Sequence, residues 1–136
     1  MTRDEARDYL FGKFPGFAHA WNSDENYHKS DDGEYTYHGL FSEFSDYFVH
    51  VFADVTNEQL SSLFGDIETW TVEEDGSIGS SRLQLLSNAV STRFLENIAG
   101  RGFTGRLKPF MGEKALGRYS FWDHPGEVDD SVAGDL

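Results

Sequence analysis

Histidine and carboxylate side chains are the residues of this sequence that could bind a metal ion or transfer protons. The five histidines are His19, His28, His38, His50 and His124. No two of them stand four residues apart, as the two histidines of the zinc-protease pattern do. Asp46 and His50 are an i, i+4 pair, which alone is a weak metal site. We therefore predict no metal ligands and no cofactor.

Other recurring catalytic patterns are also missing. Aligning Gly76 with the sixth place of an EF-hand loop puts Thr71 first and Arg82 twelfth, where calcium needs Asp and Glu. There is no P-loop, no dinucleotide fingerprint and no Ser–His–Asp set that spacing identifies. With no cysteine, disulfides, thiol catalysis and thiolate metal sites are excluded. No catalytic residue is predicted, and a non-enzymatic role is favoured.

The acidic residues are unevenly distributed along the chain. Residues 36–80 contain nine acids and no Lys or Arg, whereas residues 81–124 contain seven bases and three acids. The net charge of the whole chain is −13. Such a protein repels nucleic acid and anionic membranes and attracts basic proteins. The alternative is that the acidity only keeps the protein soluble.

An acidic surface on two helices is the predicted binding site for a basic protein partner. Electrostatic steering to the acids would precede burial of nearby aromatic side chains. The predicted partner-binding residues are Glu43, Asp46, His50, Asp54, Glu58, Asp66, Glu68 and Trp70.

Helical periodicity predicts an all-α fold of about five helices in antiparallel hairpins, as a bundle or a short solenoid. The length of 136 residues suits one domain, over residues 1–126, with an acidic and flexible tail over residues 127–136. The first helix opens at Thr2, which forms a capping box with Glu5, and ends at Pro15-Gly16. A short helical turn with a buried Trp21 follows. Residues 22–34 are predicted to be an exposed loop, with a short hairpin as the alternative.

The acidic stretch carries the two clearest helical patterns. The second helix is predicted over 38–53, and the third begins after Thr56, which forms a capping box with Gln59. Only a few residues join them, so an antiparallel αα-hairpin is expected. Residues 71–79 are predicted to be a polar loop.

A fourth helix is predicted over 81–99, with Ser81 and Gln84 at capping-box spacing. Its main apolar stripe is Leu83, Leu86, Val90, Phe94 and Ile98. Leu85 and Leu95 lie off that stripe. Gly100 is expected to end this helix.

A fifth helix is predicted with Pro109 in its first turn, one face of it formed by Leu107, Met111, Ala115, Tyr119 and Trp122. The segment 101–106 is expected to be a glycine-rich connector. Its arginines, Arg101 and Arg106, would either hold an anion or close the connector against the acidic half of the chain.

No apolar run is long enough to span a membrane. The first residues lack the apolar core of a signal peptide. A soluble, cytoplasmic protein is therefore expected.

The last third of the chain resembles a group of small helical bacterial proteins of the toxin-immunity type. The resemblance rests on Phe94-Leu95-Glu96-Asn97, the segment Leu107-Lys108-Pro109-Phe110-Met111-Gly112, and a helix ending in Phe121-Trp122. It covers about 30 residues and implies a helical fold and a bacterial source. Immunity proteins to nucleases are often acidic because the toxins that they block are basic, and the charge of this chain is compatible with that.

The sequence is also compatible with two alternative functions. A small-ligand or metal-dependent enzyme would need a deep pocket in which His38 or His50 meets two or more acids. A structural homo-oligomer would bury the off-stripe Leu85 and Leu95 between subunits.

Overall fold

The computed structural model describes residues 2–23, 26, 34–71 and 81–122, and of residues 81–84, 121 and 122 it describes the backbone alone. Every regular element in these ranges is a helix. The prediction of an all-α fold is confirmed. The helices are shorter and more numerous than the five that periodicity indicates.

The first predicted helix is followed directly by a second one. Helix α1 spans Arg3–Lys13 and opens with the predicted capping box, in which the Thr2 hydroxyl accepts from the Glu5 amide at 3.1 Å and the Glu5 carboxylate accepts from the Thr2 amide at 2.7 Å. Helix α2 spans Pro15–Trp21. Because Pro15 lacks an amide proton, it ends α1 and serves as the first residue of α2. The buried Trp21 is confirmed.

The acidic stretch forms two helices joined by a tight turn. Helix α3 spans Tyr37–Val51, a 3-10 turn covers Phe52–Asp54, and helix α4 spans Asn57–Trp70. The Thr56 hydroxyl accepts from the Gln59 amide at 3.0 Å, and the Gln59 side chain accepts from the Thr56 amide at 2.9 Å, so the predicted capping box is present.

The fourth predicted helix is irregular. Helix α5 spans Ser81–Ala89, a π-helical segment follows over Val90–Leu95, and α6 spans Glu96–Ile98. Within the π segment the amide of Glu96 donates to the carbonyl of Ser91, five residues earlier. The chain is therefore helical over most of the predicted range 81–99, but the helix changes from α to π over Val90–Leu95.

The spacing of the apolar residues explains the π segment. Leu86, Val90, Phe94 and Ile98 recur every four residues and are all fully buried. A regular helix turns about 100° per residue, so each step of four would rotate the row by about 40° away from the core. The wider π turns keep the row on one face. They also turn Leu95, which lies off the main stripe, inward, where it is fully buried.

The predicted fifth helix is broken in two. Helix α7 spans Thr104–Leu107, a 3-10 turn covers Lys108–Phe110, and helix α8 spans Glu113–Trp122. The expectation that Pro109 opens a long helix was wrong, because Pro109 lies in the 3-10 turn. Gly100 follows α6, as predicted, with a φ of +77°, a left-handed conformation that suits glycine.

The main core joins α3 to the π segment. Phe94 of that segment stacks on Phe44 with ring centroids 5.3 Å apart and meets Phe48 edge-on at 5.1 Å. The closest packing partner of α3 is therefore the irregular helix over residues 81–98, while α4 packs on α8. This arrangement differs from the predicted antiparallel hairpin of α3 and α4. Small buried residues, Ser45 on α3 and Ser91 in the π segment, permit the close approach.

Some sequence-based predictions concern residues outside the described ranges. These are the parts of the predicted exposed loop at 24, 25 and 27–33, the loop over 72–79, the tail over 127–136, the side chains of Ser81 and Gln84, and that of Trp122. Within the predicted exposed loop, Asn26 is described and is buried, because its side-chain nitrogen donates to the carbonyl of Trp21 at 2.8 Å. Among the described helices, none is long and apolar enough to cross a membrane.

Candidate functional site

Four of the predicted partner-binding residues have exposed side chains. Asp46 and His50 lie one turn apart on α3, Asp54 is in the 3-10 turn and Glu58 is in the first turn of α4. Glu43 lies one turn before Asp46 and is partly exposed. The apolar faces of the same two helices point into the core. The outer side of α3, the turn and the start of α4 therefore carry four acids and His50 at least partly exposed to solvent, and we call these five residues the acidic surface.

Asp66 and Trp70 are packed against α1. The hydroxyl of Tyr9 donates to Asp66, and the ring of Tyr9 meets Trp70 edge-on with centroids 5.0 Å apart. Trp70 is only 7% exposed. Burial, and secondarily the bond to Asp66, raise the pKa of Tyr9 well above its ordinary value. These contacts attach α4 to α1 and leave Trp70 little surface for a partner.

Glu68 caps helix α8. Its carboxylate oxygens accept from the amides of Lys114 at 2.8 Å and Ala115 at 2.9 Å. Gly112 permits this approach, since a Cβ there would lie 2.5 Å from the Glu68 carboxyl carbon. A carboxylate at a helix N-terminus satisfies free amides and the helix dipole. Glu68 thus has an internal structural partner.

Asp46 belongs to a polar network between α3 and residues 96–101. The side-chain nitrogen of Asn97 donates to Ser45 Oγ at 2.6 Å and to Asp46 Oδ1 at 3.1 Å. Arg101 donates to the carbonyl oxygen of Asn97 at 2.5 Å and to its Oδ1 at 3.0 Å. Both amide hydrogens and the amide oxygen of Asn97 are therefore engaged, which fixes its orientation beside Asp46.

A surface cavity of about 350 Å³ opens at this network, between α3 and the π segment. It is lined by polar or charged side chains: Ser42, Asp46, Thr92, Arg93, Glu96 and Asn97. π-helical turns are frequent at functional sites. This cavity is therefore the strongest candidate for a binding site in the described part of the chain.

Of the residues lining the cavity, only Asp46 was among the predicted partner-binding residues. The others come mostly from the π segment and α6, some fifty positions further along the chain. One feature of the sequence does indicate the irregular turn beside the cavity. The strict four-residue spacing of Leu86, Val90, Phe94 and Ile98 is wider than a regular helix allows, and it marks the irregular turn that shapes the cavity.

Arg106 joins the connector to the turn between α3 and α4. Its guanidinium donates to the carbonyl of Phe52 at 3.2 Å, to Asn57 Oδ1 at 3.3 Å, and to the carbonyl of Val55. The ring of Phe52 also stacks on Phe103 with centroids 3.8 Å apart. Of the two interpretations of this connector, the structure shows the closure against the acidic half.

The described residues do not show the pocket expected of an enzyme, in which His38 or His50 would meet two or more acids. The cavity contains Asp46 and Glu96, but neither His38 nor His50 lines it. His38 contacts Asn88 at 2.7 Å, between its Nε2 and the amide oxygen. The described ranges contain no group of three or more His, Asp or Glu side chains that could hold a metal ion.

The two leucines of the predicted subunit interface are separated by the fold. Leu95 lies in the core, whereas Leu85 is 49% exposed. Leu85 is the one large hydrophobic side chain among the described residues that is exposed. An interface that needs both leucines on the surface is not available in this chain as folded.

Comparison with protein-family models, with curated proteins and with solved structures finds no match to this chain.

Proposed function

We propose that this chain is a non-enzymatic binding domain whose acidic surface engages a basic region of another protein. The observation that carries the proposal is the exposure of Asp46, Asp54 and Glu58 on consecutive elements of a stretch without a single Lys or Arg. Such a surface attracts a basic partner over a distance of about 8–10 Å at ordinary ionic strength. Inhibition of a basic bacterial toxin or nuclease by occlusion is the specific role that we propose.

Under this proposal, some of the predicted residues contact the partner and others support the structure of the surface. Asp46, Asp54 and Glu58 carry out steering and contact, with Glu43 and His50 beside them. Asp66, Glu68 and Trp70 hold α4 against α1 and α8, and so keep the surface in place. Rigid helices present charges with little reorganisation on binding, which favours association.

A pair of charge-matched variants tests the proposal. Asp54→Asn with Glu58→Gln removes two charges from the acidic surface, and Asp8→Asn with Glu113→Gln removes two exposed charges elsewhere. Binding of a fluorescent Arg- and Lys-rich peptide is measured by anisotropy at low salt and at several hundred millimolar NaCl. We expect the first pair to weaken binding by about threefold or more and the second by less than twofold.

Equal losses in the two double variants would contradict the proposal, because affinity would then follow net charge and not the acidic surface. Binding that is unchanged at high salt would contradict it too, since interactions of exposed charges are screened there.

A further inference from the structure

The cavity between α3 and the π segment is rich in hydrogen-bond acceptors. Asp46 on α3 and Glu96 on α6 contribute carboxylates from two different elements. The hydroxyl of Thr92 donates to the carbonyl of Asn88 at 2.8 Å, so its oxygen is left to accept. Asn97 has no amide hydrogen to spare, because both are engaged with Ser45 and Asp46.

Arg93 is the one lining residue that is purely a donor, and its side chain is exposed. The lining therefore has two carboxylates to one guanidinium and a net charge of −1. The described residues place no cation within ion-pairing distance of the Glu96 carboxylate. The chemistry that such a lining recognises is a cationic group with several N–H donors.

The cavity volume of about 350 Å³ is at the low end for ligand sites, which range from about 300 to 1,000 Å³. It suits one long side chain. We propose that this cavity receives an arginine side chain of the basic partner, whose guanidinium bridges Asp46 and Glu96. This inference rests on the proposed function, because Asp46 is part of the acidic surface. It adds an anchoring point to a surface that otherwise acts by charge.

An arginine suits the cavity better than a lysine. Its planar guanidinium carries five N–H donors in a fixed arrangement, so it can bond two carboxylates and a hydroxyl at once. Arg93 opposes the incoming charge. Replacing Arg93 by Gln should therefore tighten binding, whereas a site for an anion would lose affinity in the same variant.

The test uses N-acetylarginine amide, a mimic of a peptide-borne arginine, and two-dimensional amide NMR of the full chain. We expect saturable shifts at residues 42, 46 and 92–97. The double variant Asp46→Asn with Glu96→Gln should weaken binding by at least about fivefold, and Arg93→Gln should strengthen it by about twofold. The charge-matched Asp8→Asn with Glu113→Gln should change it by less than twofold. Thermal unfolding verifies that every variant is folded.

Shifts spread over the acidic surface without saturation at the cavity would overturn the proposal, as would weaker binding in Arg93→Gln. N-acetyllysine amide should bind less tightly than the arginine compound, and equal affinities would contradict the bridging geometry.

The same variants separate this inference from the proposed function when the Arg- and Lys-rich peptide is the probe. If Glu96→Gln, at a residue outside the acidic surface, leaves peptide binding unchanged while Asp54→Asn with Glu58→Gln weakens it, the cavity proposal fails and the proposed function stands. If N-acetylarginine amide binds at the cavity while the peptide does not bind at all, the proposed function fails and the cavity is a site for a free guanidinium compound.

Discussion

Tyr35 connects the segment before α3 to the start of α1. Its hydroxyl donates to the Asp4 carboxylate, and its carbonyl accepts from Arg3 at 2.5 Å. The bond from Tyr35 lowers the pKa of Asp4 below the ordinary value of 3.8, with smaller help from Arg7 and Arg3. Burial, and then the same bond, raise the pKa of Tyr35 to about 12. The bond thus favours an ionised Asp4 carboxylate and a protonated Tyr35 hydroxyl, which are the two forms that make it.

Replacing Tyr35 by Phe should raise the pKa of Asp4 toward 3.8, because the largest cause of its depression is removed. A carboxyl with a depressed folded pKa contributes stability above its unfolded pKa and loses it as the pH falls through the folded pKa. A tyrosine with a raised pKa contributes stability below about pH 10 and loses it as the pH rises toward about 12. The stability difference between wild type and variant should therefore be largest between about pH 4 and 10.

NMR titration of the Asp4 carboxyl carbon and unfolding curves across this pH range measure both effects. Tyr9→Phe is the control, since Tyr9 bonds Asp66 and should leave the pKa of Asp4 unchanged. An Asp4 pKa that does not move in Tyr35→Phe would show that the bond is absent in solution.

Among the helices, features that depend on residues close together in the sequence were predicted, and features that depend on contacts between distant residues were not. Both capping boxes were predicted because their partners stand three residues apart. The break before α8 was missed because the group that caps this helix is Glu68, which comes from α4. The cavity was missed for the same reason, since Asp46 meets Glu96 and Asn97 only after α3 packs on the π segment.

Deleting Thr92 should convert the π segment into regular helix while keeping the fold. The buried row of Leu86, Val90, Phe94 and Ile98 would then be spaced four, three and four residues apart, which is regular helical spacing. We expect unchanged helix content by circular dichroism and a melting temperature within a few degrees of wild type or above it. Binding of N-acetylarginine amide at the cavity should be lost.

Deletion of the exposed Gly65 in α4 is the matched control. It would rotate Ile67 and Trp70 by about 100° away from the core, and we expect a strong loss of stability. If the Thr92 deletion destabilises the chain as much as the Gly65 deletion, the explanation of the π segment by apolar spacing is wrong.

Two consecutive stretches of the chain, which we call the acidic half (residues 36–80) and the basic half (residues 81–124), carry opposite net charges. Residues 36–80 carry −9 and residues 81–124 carry +4, within a total of −13. Attraction between the halves favours the fold, while the excess of negative charge opposes it by self-repulsion. The sequence predicted this asymmetry. It could not show that Arg101 and Arg106 bind carbonyl and amide oxygens.

Raising NaCl from low concentration to about 0.2 M should raise the melting temperature by a few degrees. The reason is that salt screens the self-repulsion of the negative charges, which is larger than the attraction between the halves. The rise should be smaller in Asp54→Asn with Glu58→Gln, which carries two fewer negative charges. Differential scanning calorimetry in both backgrounds measures the effect. A melting temperature that falls with salt would mean that attraction between the halves outweighs the repulsion.

The polar contacts that join the two halves have a consequence for chain continuity. Asn97 reaches Ser45, Arg106 reaches the turn before α4, and Glu68 reaches the start of α8. Each contact pairs a residue before position 72 with one after position 80, and Phe94 does the same in the core. None depends on an unbroken backbone between these positions. The two pieces are therefore suited to fragment complementation, in which these polar contacts and a shared aromatic core would reassemble the domain from separate polypeptides.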